Sequence, residues 1–324
     1  MKKTVKQSIN EQWKMGFDPE FFIGDIHGNI LNAIPILKQD KYNPIIISPP
    51  ETKVYYDCTN LEHTTPVSGS KQEVITNFRN IFNNIQNKVL GQNYRLVSKA
   101  AHKFEKSQLE SKESWEIGCS SSFDIYRSEI APNQEFTDET RTTAGHIHMS
   151  RNDLEDFDIR EKTVKLLDAI VGTSLVIIGH DETSAARRKL YGKAGNFRFE
   201  KTRLEWRVPD SYYLRSPETT ELVYDLIDYT LSLNGDGDKI LNLTNPAQVQ
   251  KAINECHKGI SATILNKINL PKNLFDRVNK DYSQVNLYKD WNINIDNNLQ
   301  NEIDKIKNLK YKRFNKEKIL KVVS

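Results

Sequence analysis

A chain of 324 residues with 37% hydrophobic residues and a mean hydropathy of -0.63 can bury one large core or two smaller ones, yet it is polar for a globular protein. Its 46 basic and 43 acidic residues leave a formal net charge of +3, too near neutral to attract nucleic acid or a membrane through the whole surface. Three scattered cysteines, Cys58, Cys119 and Cys256, exclude a disulfide scaffold and offer no zinc spacing. No apolar run approaches the ~20 residues of a membrane-spanning helix, so a soluble, cytoplasmic protein is expected.

Residues 1–15 read as a polar leader, basic at its start but lacking the apolar core of a signal peptide. Residues 17–23 read as a strand, closed by a turn at Asp25-Ile26-His27-Gly28-Asn29. Asp18 and Glu20 stand two apart on that strand, so alternation aims both carboxylates at one face. Adjacent like charges repel unless a cation neutralises them, and hard oxygen donors suit magnesium. The plain alternative is an exposed acidic strand with Pro19 at a sheet edge. The segment from Gly24 to Asn29 also looks like the first block of a calcineurin-like metallophosphoesterase. That chemistry needs later Gly-Asp and Gly-Asn-His blocks to complete a two-metal site, and the chain has neither. Gly179-His180-Asp181 is a poor match, and a hairpin turn at Gly28-Asn29 is the preferred reading.

Residues 45–48 and 53–62 read as further strands, the second near-alternating, with Asp57 near its start and Glu62 at its end. Over residues 72–90, Val74, Phe78, Ile81, Phe82, Ile85 and Val89 fall on one face of an amphipathic helix. Residues 115–126 and 145–150 read as short strands. On the second of these His146 and His148 face one way, which suits metal or phosphate better than a lone histidine. The bland counterpart is a hydrogen-bonded pair in a polar core. A largely apolar helix is expected over 159–176.

Next comes a basic loop over 184–198 that carries Arg187, Arg188, Lys193 and Arg198 together with Gly192 and Gly195. Glycines let backbone amides approach phosphate oxygens, and arginines grip them bidentately. The loop is neither a Walker nor a Rossmann motif. It runs into a strand, Arg203-Leu204-Glu205-Trp206-Arg207-Val208, in which Glu205 stands between two guanidiniums. Such a row is a surface ion-pair ladder if nothing binds there. A helix follows over 219–232, then the turn Gly235-Asp236-Gly237-Asp238, then a Lys- and Asn-rich remainder that reads as helical. The expected division is a leader at 1–15, a main domain at 16–235 that holds the candidate site residues, and a helical C-terminal extension at 236–324. Helices lie irregularly between the strands, an α+β pattern rather than a βαβ alternation.

Taken in order, several blocks resemble one family: Gly16-Phe17-Asp18-Pro19-Glu20, Glu62, Ile117-Gly118-Cys119, Arg141 to His148, Arg188 to Gly195, and Leu204-Glu205-Trp206-Arg207. They are similar to the phage-type carboxylate–amine ligases of the glutamine synthetase-like amidoligase superfamily, over roughly residues 16–235. The resemblance implies a curved antiparallel sheet funnel with flanking helices, with nucleotide entering one end. It implies ATP and Mg2+ (or Mn2+) as cofactors. Carried over, Glu20, Glu62, His146 and Glu205 are the metal ligands, with Asp18 next and His148 in support. Arg198 and Arg207 hold the transferring phosphate, helped by Arg188 and Lys193. One departure falls at Ser120-Ser121-Ser122-Phe123-Asp124, where the family carries an Asp-Pro-Asp type of sequence.

Two functions follow from this resemblance. One is an ATP-dependent ligase that forms an amide or isopeptide bond through an acyl phosphate, from small-molecule or peptide carboxylate and amine substrates. The other is a non-catalytic or virion-associated protein that keeps the fold, motivated by the serines and the long tail. No nucleic acid or membrane partner is expected, a homo-oligomer stays open, and the location is the host cytoplasm if the chain is phage-encoded.

Overall fold

A computed structural model describes residues 13–305 apart from 117, 119, 120, 132–134, 234, 235 and 298. Most of the expected leader, Cys119, Ser120, Gly235 and the last nineteen residues of the expected extension therefore lie outside the described residues.

The longest strand, β1 (Lys14–Asp25), organises the fold. Phe17 and Phe21 project to one side of it and pack on a helix, α2 (Lys71–Asn84), with ring centroids 5.0 Å from Phe78 and 5.6 Å from Phe82. Burial of these rings is worth far more than any propensity along the strand. A short helix, α1 (Ile34–Leu37), precedes α2 in the chain. The start of α2 is a capping box: the Ser70 side chain accepts from Glu73 N, and Gly69 N donates to the Glu73 carboxylate. The helix continues through a wider-wound stretch, Ile85–Leu90.

The other strands are β2 (Ile30–Leu31), β3 (Ile45–Ile47), β4 (Thr52–Asp57), β5 (Asn60–His63), β6 (Tyr94–Val97), β7 (Ala101–Lys103), β8 (Phe123–Asp124), β9 (Glu129–Ile130), β10 (Thr140–Thr142), β11 (Gly145–Ser150), β12 (Asn196–Glu200) and β13 (Arg203–Trp206). The main sheet runs β3-β4-β5-β1-β11-β13-β12-β8-β9, with β2 and β6 paired to the far half of β1. Every pairing is antiparallel, and β7 and β10 form a separate two-stranded ribbon.

Helices α3 (Phe157–Leu167), α4 (Thr173–Ile178), α5 (Ser184–Leu190), α6 (Pro217–Ser232), α7 (Gly237–Leu243), α8 (Pro246–Asn254), α9 (Lys258–Lys267), α10 (Lys272–Val278) and α11 (Leu287–Asp290) flank the sheet. The architecture is α+β, a large antiparallel sheet with flanking helices. None of the described helices is long and apolar enough to cross a membrane.

Three segments differ from the reading of the sequence. The single strand expected at 53–62 is a hairpin, because the chain reverses at Cys58, whose φ is 54°, and Asp57 pairs with Asn60. Among the described residues of the expected strand at 115–126, strand structure is found at β8, and a helical turn, Lys112–Trp115, comes before it. The expected basic loop at 184–198 begins as the helix α5, because Arg187 and Arg188 bury their stems and give their guanidiniums to backbone carbonyls. Among the described residues beyond 236 the chain forms the helices α7 to α11, and one hydrophobic core takes in residues from Met15 to Ile303.

Candidate active site

The register gathers the predicted residues. Glu20 pairs with Glu62 across β1 and β5, Asp18 pairs with His146 across β1 and β11, and His148, Glu205 and Arg198 form a row across β11, β13 and β12. Directly opposed residues share a face, and alternate residues on one strand share it too. One face of the sheet therefore carries Asp18, Glu20, Glu62, His146, His148, Arg198, Glu205 and Arg207, opposite the face that packs on α2.

On that face the side chains sort into three groups. The first is an acid centre: Glu20, Asp57 and Glu62 bring carboxylate oxygens within 4.8 Å of one another. The β4–β5 hairpin supplies two of them, and this is why the missed turn matters. Glu20 is buried and its Oε2 accepts from Asn60 Nδ2 and Ala144 N, each at 3.0 Å. Tyr55 donates its hydroxyl to Glu62 Oε1 at 2.9 Å. Burial, then the charge of Asp57, pushes the Glu20 carboxyl up to about 8, against partial relief from Arg187 and from those hydrogen bonds. Burial, with Asp57, Glu20 and Asp18, holds the Glu62 carboxyl well above its ordinary range. A ring of hard oxygens that repel one another and hold protons fits a magnesium or manganese ion, which would neutralise them. Glu20, Asp57 and Glu62 are the residues that could hold it.

The second group is an arginine centre around Glu205. Arg198 donates from Nε to Glu205 Oε2 at 2.7 Å and makes a second, shorter contact through Nη2. Arg207 Nε lies 3.2 Å from Glu205 Oε1, and its Nη1 donates to Ser122 Oγ at 2.9 Å. His146 Nδ1 stands 3.3 Å from the same Oε1, and the Tyr191 hydroxyl stands 3.1 Å from His146 Nε2. Burial, followed by the charges of Arg207 and Arg187, holds His146 well below its ordinary pKa, so the imidazole is neutral. The third group is the pair Asp18 and His148, whose Oδ2 and Nε2 are 2.8 Å apart. Burial works to raise the Asp18 carboxyl, but the hydrogen bond and charge of His148 outweigh it and leave it below the usual value.

A small cleft with about 40 Å³ of free space opens over the acid centre, walled by Phe136, Leu190 and Tyr191 as well as Glu20, Asp57 and Asn60. Gly118 comes so close to Asp57 that a Cβ built on it would meet Oδ1 at 1.9 Å, so any larger residue would displace the carboxylate. Two predicted phosphate residues stand apart from this face. Arg188 gives Nη1 to the carbonyls of Gly192 and Val208 and lines a different cavity, with Asp181, Asp210 and Cys256. Lys193 sits on the turn before β12, where its carbonyl accepts from Asn196 N at 3.2 Å. The phosphoesterase-like block forms a turn in which Asp25 Oδ1 accepts from His27 N at 2.9 Å and from Asn29 N at 2.8 Å.

Sequence reasoning gave little weight to Asp57, and gave no role to Asn60, Tyr55 or Tyr191. The turn-forming run Asp57-Cys58-Thr59-Asn60 inside the expected strand was the available signal for the first three.

Residues 136–303 match the family described as phage phiEco32-like COOH.NH2 ligase-type 2. The match takes in both histidines, Arg198, Glu205 and Arg207, and it continues past residue 236. No curated protein matches the chain. Among solved structures, the chain aligns with a bifunctional glutathione synthetase from Pasteurella multocida at 12% identity and a TM-score of 0.44. The alignment covers 86% of this chain and 48% of that one, so the chain spans about half its length. A likeness that distant carries no argument about fold or activity. On the family match, which covers more than half of its residues, the chain belongs to the phage phiEco32-like COOH.NH2 ligase-type 2 family, a family of carboxylate–amine ligases.

Proposed function

We propose that the chain uses ATP and Mg2+ or Mn2+ to join a carboxylate to an amine through an acyl phosphate, on a sheet used as glutamine synthetase uses its own. The observation that carries this reading is the pairing of two opposite centres on one sheet face. Glu20, Asp57 and Glu62 bring three carboxylates together, and Arg198 and Arg207 flank Glu205 beside them.

A bound divalent ion at the acid centre would offset phosphate charge. Arg198 and Arg207, oriented by Glu205, would hold the transferring phosphoryl group and spread its charge. A substrate carboxylate oxygen attacks the γ-phosphorus, ADP leaves, and a mixed anhydride forms. The amine nitrogen then attacks the carbonyl carbon, the C–O bond to phosphate breaks, and the ammonium proton leaves to solvent. Ser122 holds Arg207 with a hydroxyl, which positions the guanidinium without cancelling its charge. Phe136, Leu190 and Tyr191 keep water from one side of the cleft.

Hydroxylamine replaces the unidentified amine in the test. With ATP, Mg2+ and a panel of carboxylates, the expected products are a hydroxamate, ADP and phosphate in equal amounts. AMP with pyrophosphate would replace the acyl phosphate by an adenylate. ATP binding with no turnover across the panel would favour the non-catalytic reading.

A further inference from the structure

Arg187 carries a charge that none of the steps above uses. It lies within α5 and is fully buried. Burial, then the charge of Arg188, pulls it down to about 10, so it is still a cation at neutral pH. A buried cation needs hydrogen bonds in place of water, and Arg187 draws them from two segments of the chain. Its Nε donates to Thr143 O at 2.6 Å, just before β11 begins. Nη1 donates to Val208 O at 2.9 Å, and Nη2 to Pro209 O at 2.8 Å and to Arg207 O at 3.3 Å, just after β13 ends. Gly192, with a φ of 67°, leaves the guanidinium its space, since a Cβ there would meet Arg187 Nη1 at 2.2 Å.

The Thr143 carbonyl belongs to the same peptide group as the N–H of Ala144. That N–H donates to Glu20 Oε2 at 3.0 Å, and Ala144 O accepts from Glu20 N at 2.8 Å. A cation on the oxygen of a peptide group polarises it and makes its N–H a stronger donor. An unbroken line of hydrogen bonds therefore runs from Arg187 through one peptide group to Glu20 of the acid centre. The other side of the same guanidinium grips the backbone of Arg207, from the arginine centre. Because the guanidinium is planar and rigid, the two segments are held at a fixed spacing.

We propose that Arg187 is a positioning residue, which orients Glu20 through the Thr143–Ala144 peptide and holds the acid centre in register with Arg207. Its bearing on metal binding and turnover rests on the ligase reading, whereas the line of hydrogen bonds can be measured without either.

The test uses the full-length chain and two variants, Arg187→Met and Arg187→Lys. The first readout is the amide spectrum of metal-free protein carrying isotope-labelled alanine, with the Ala144 signal assigned by its loss in Ala144→Gly. The Ala144 amide proton should move upfield in Arg187→Met, because its peptide oxygen has lost the cation. The second readout is Mn2+ binding by calorimetry. The Kd should weaken by about tenfold in Arg187→Met, as for the loss of a group that orients a ligand. Arg187→Lys keeps a charge but cannot bridge both segments, so it should weaken Mn2+ by a similar factor. Trp291→Ala is the control for stability alone: Trp291 is fully buried against Phe82, behind the sheet, and both readouts should stay at wild type. An Ala144 amide unmoved in Arg187→Met, or wild-type Mn2+ affinity in Arg187→Lys, would overturn the proposal. Equal changes in Trp291→Ala would reduce Arg187 to a contributor to stability and overturn it too. Wild type that binds no Mn2+ would sink the ligase reading, and the Ala144 amide would still decide the role of Arg187.

Discussion

Asp57 raises the affinity of Glu20 and of Glu62 for protons, and the consequence can be measured before any substrate is known. The folded chain holds the Glu20 proton to about 8, against 4.5 for an ordinary glutamate. A group shifted upward on folding contributes stability that is full below the lower value and is lost as pH rises through the higher one. The apoprotein should therefore lose stability between about pH 4.5 and 8 from this group. A divalent ion competes for the same oxygens, so its affinity should climb across that window and its binding at neutral pH should release protons. Equal heats of Mn2+ binding in two buffers of different ionisation enthalpy would contradict this. Asp57→Asn removes the charge that acts on both Glu20 and Glu62, so it should stabilise the apoprotein by on the order of 1 kcal/mol while weakening Mn2+ binding. Gly118→Ala should also weaken binding, because its Cβ would displace Asp57.

Elements position these residues from behind the sheet. Asp168 follows α3 in a buried, wider-wound segment, where Oδ1 accepts from Trp206 Nε1 at 2.9 Å and Oδ2 from Gly195 N at 2.6 Å. Tyr126 donates to it as well. One carboxylate thus ties β13 to the turn that opens β12, the two strands that carry Glu205 and Arg198. Asp168→Asn would set an amide N–H against one of these donors, at a cost of about 1–3 kcal/mol in urea unfolding near neutral pH. Burial raises the Asp168 carboxyl to about 7 from 3.8, so its contribution also falls as pH rises through about 7, and the variant should flatten that slope.

The sequence showed such elements only where their pattern was local. β1, β11 and α6 were legible because apolar residues recur at the right period and turn or cap residues bound them. The β4–β5 hairpin was hidden because apolar residues keep alternating up to the turn and again after it. α5 was hidden because buried Arg187 and Arg188 occupy places where a helix usually shows leucine. The site residues were legible by type, since paired carboxylates and histidines on strands ask for neutralisation. Their sorting into an acid centre and an arginine centre depends on which strands lie side by side, and spacing along one chain does not encode that.

Across the whole molecule, the helices after residue 236 belong to the same core as the sheet. Trp291 is fully buried, its ring centroid lies 5.4 Å from that of Phe82, and its Nε1 donates to Leu214 O at 2.7 Å. Arg277 pairs with Asp225 on α6 at 2.6 Å. Asn254, the last residue of α8, accepts from Ala194 N at 2.8 Å, directly on the turn that leads into Arg198. A chain cut at residue 236 would expose the faces that these contacts cover and leave the turn before β12 without its anchor. We expect it to lose the single cooperative thermal transition of the full chain and to aggregate. Trp291→Ala should lower stability by about 3–5 kcal/mol through the cavity it leaves. Asn254→Ala should be milder in melting and should leave Mn2+ binding at the distant acid centre intact, while ATP-dependent turnover falls as Arg198 loses its support. A cut chain with an unchanged melting transition would instead make the C-terminal helices a separable appendage, and the link from α8 to Arg198 would then carry no weight in positioning the site.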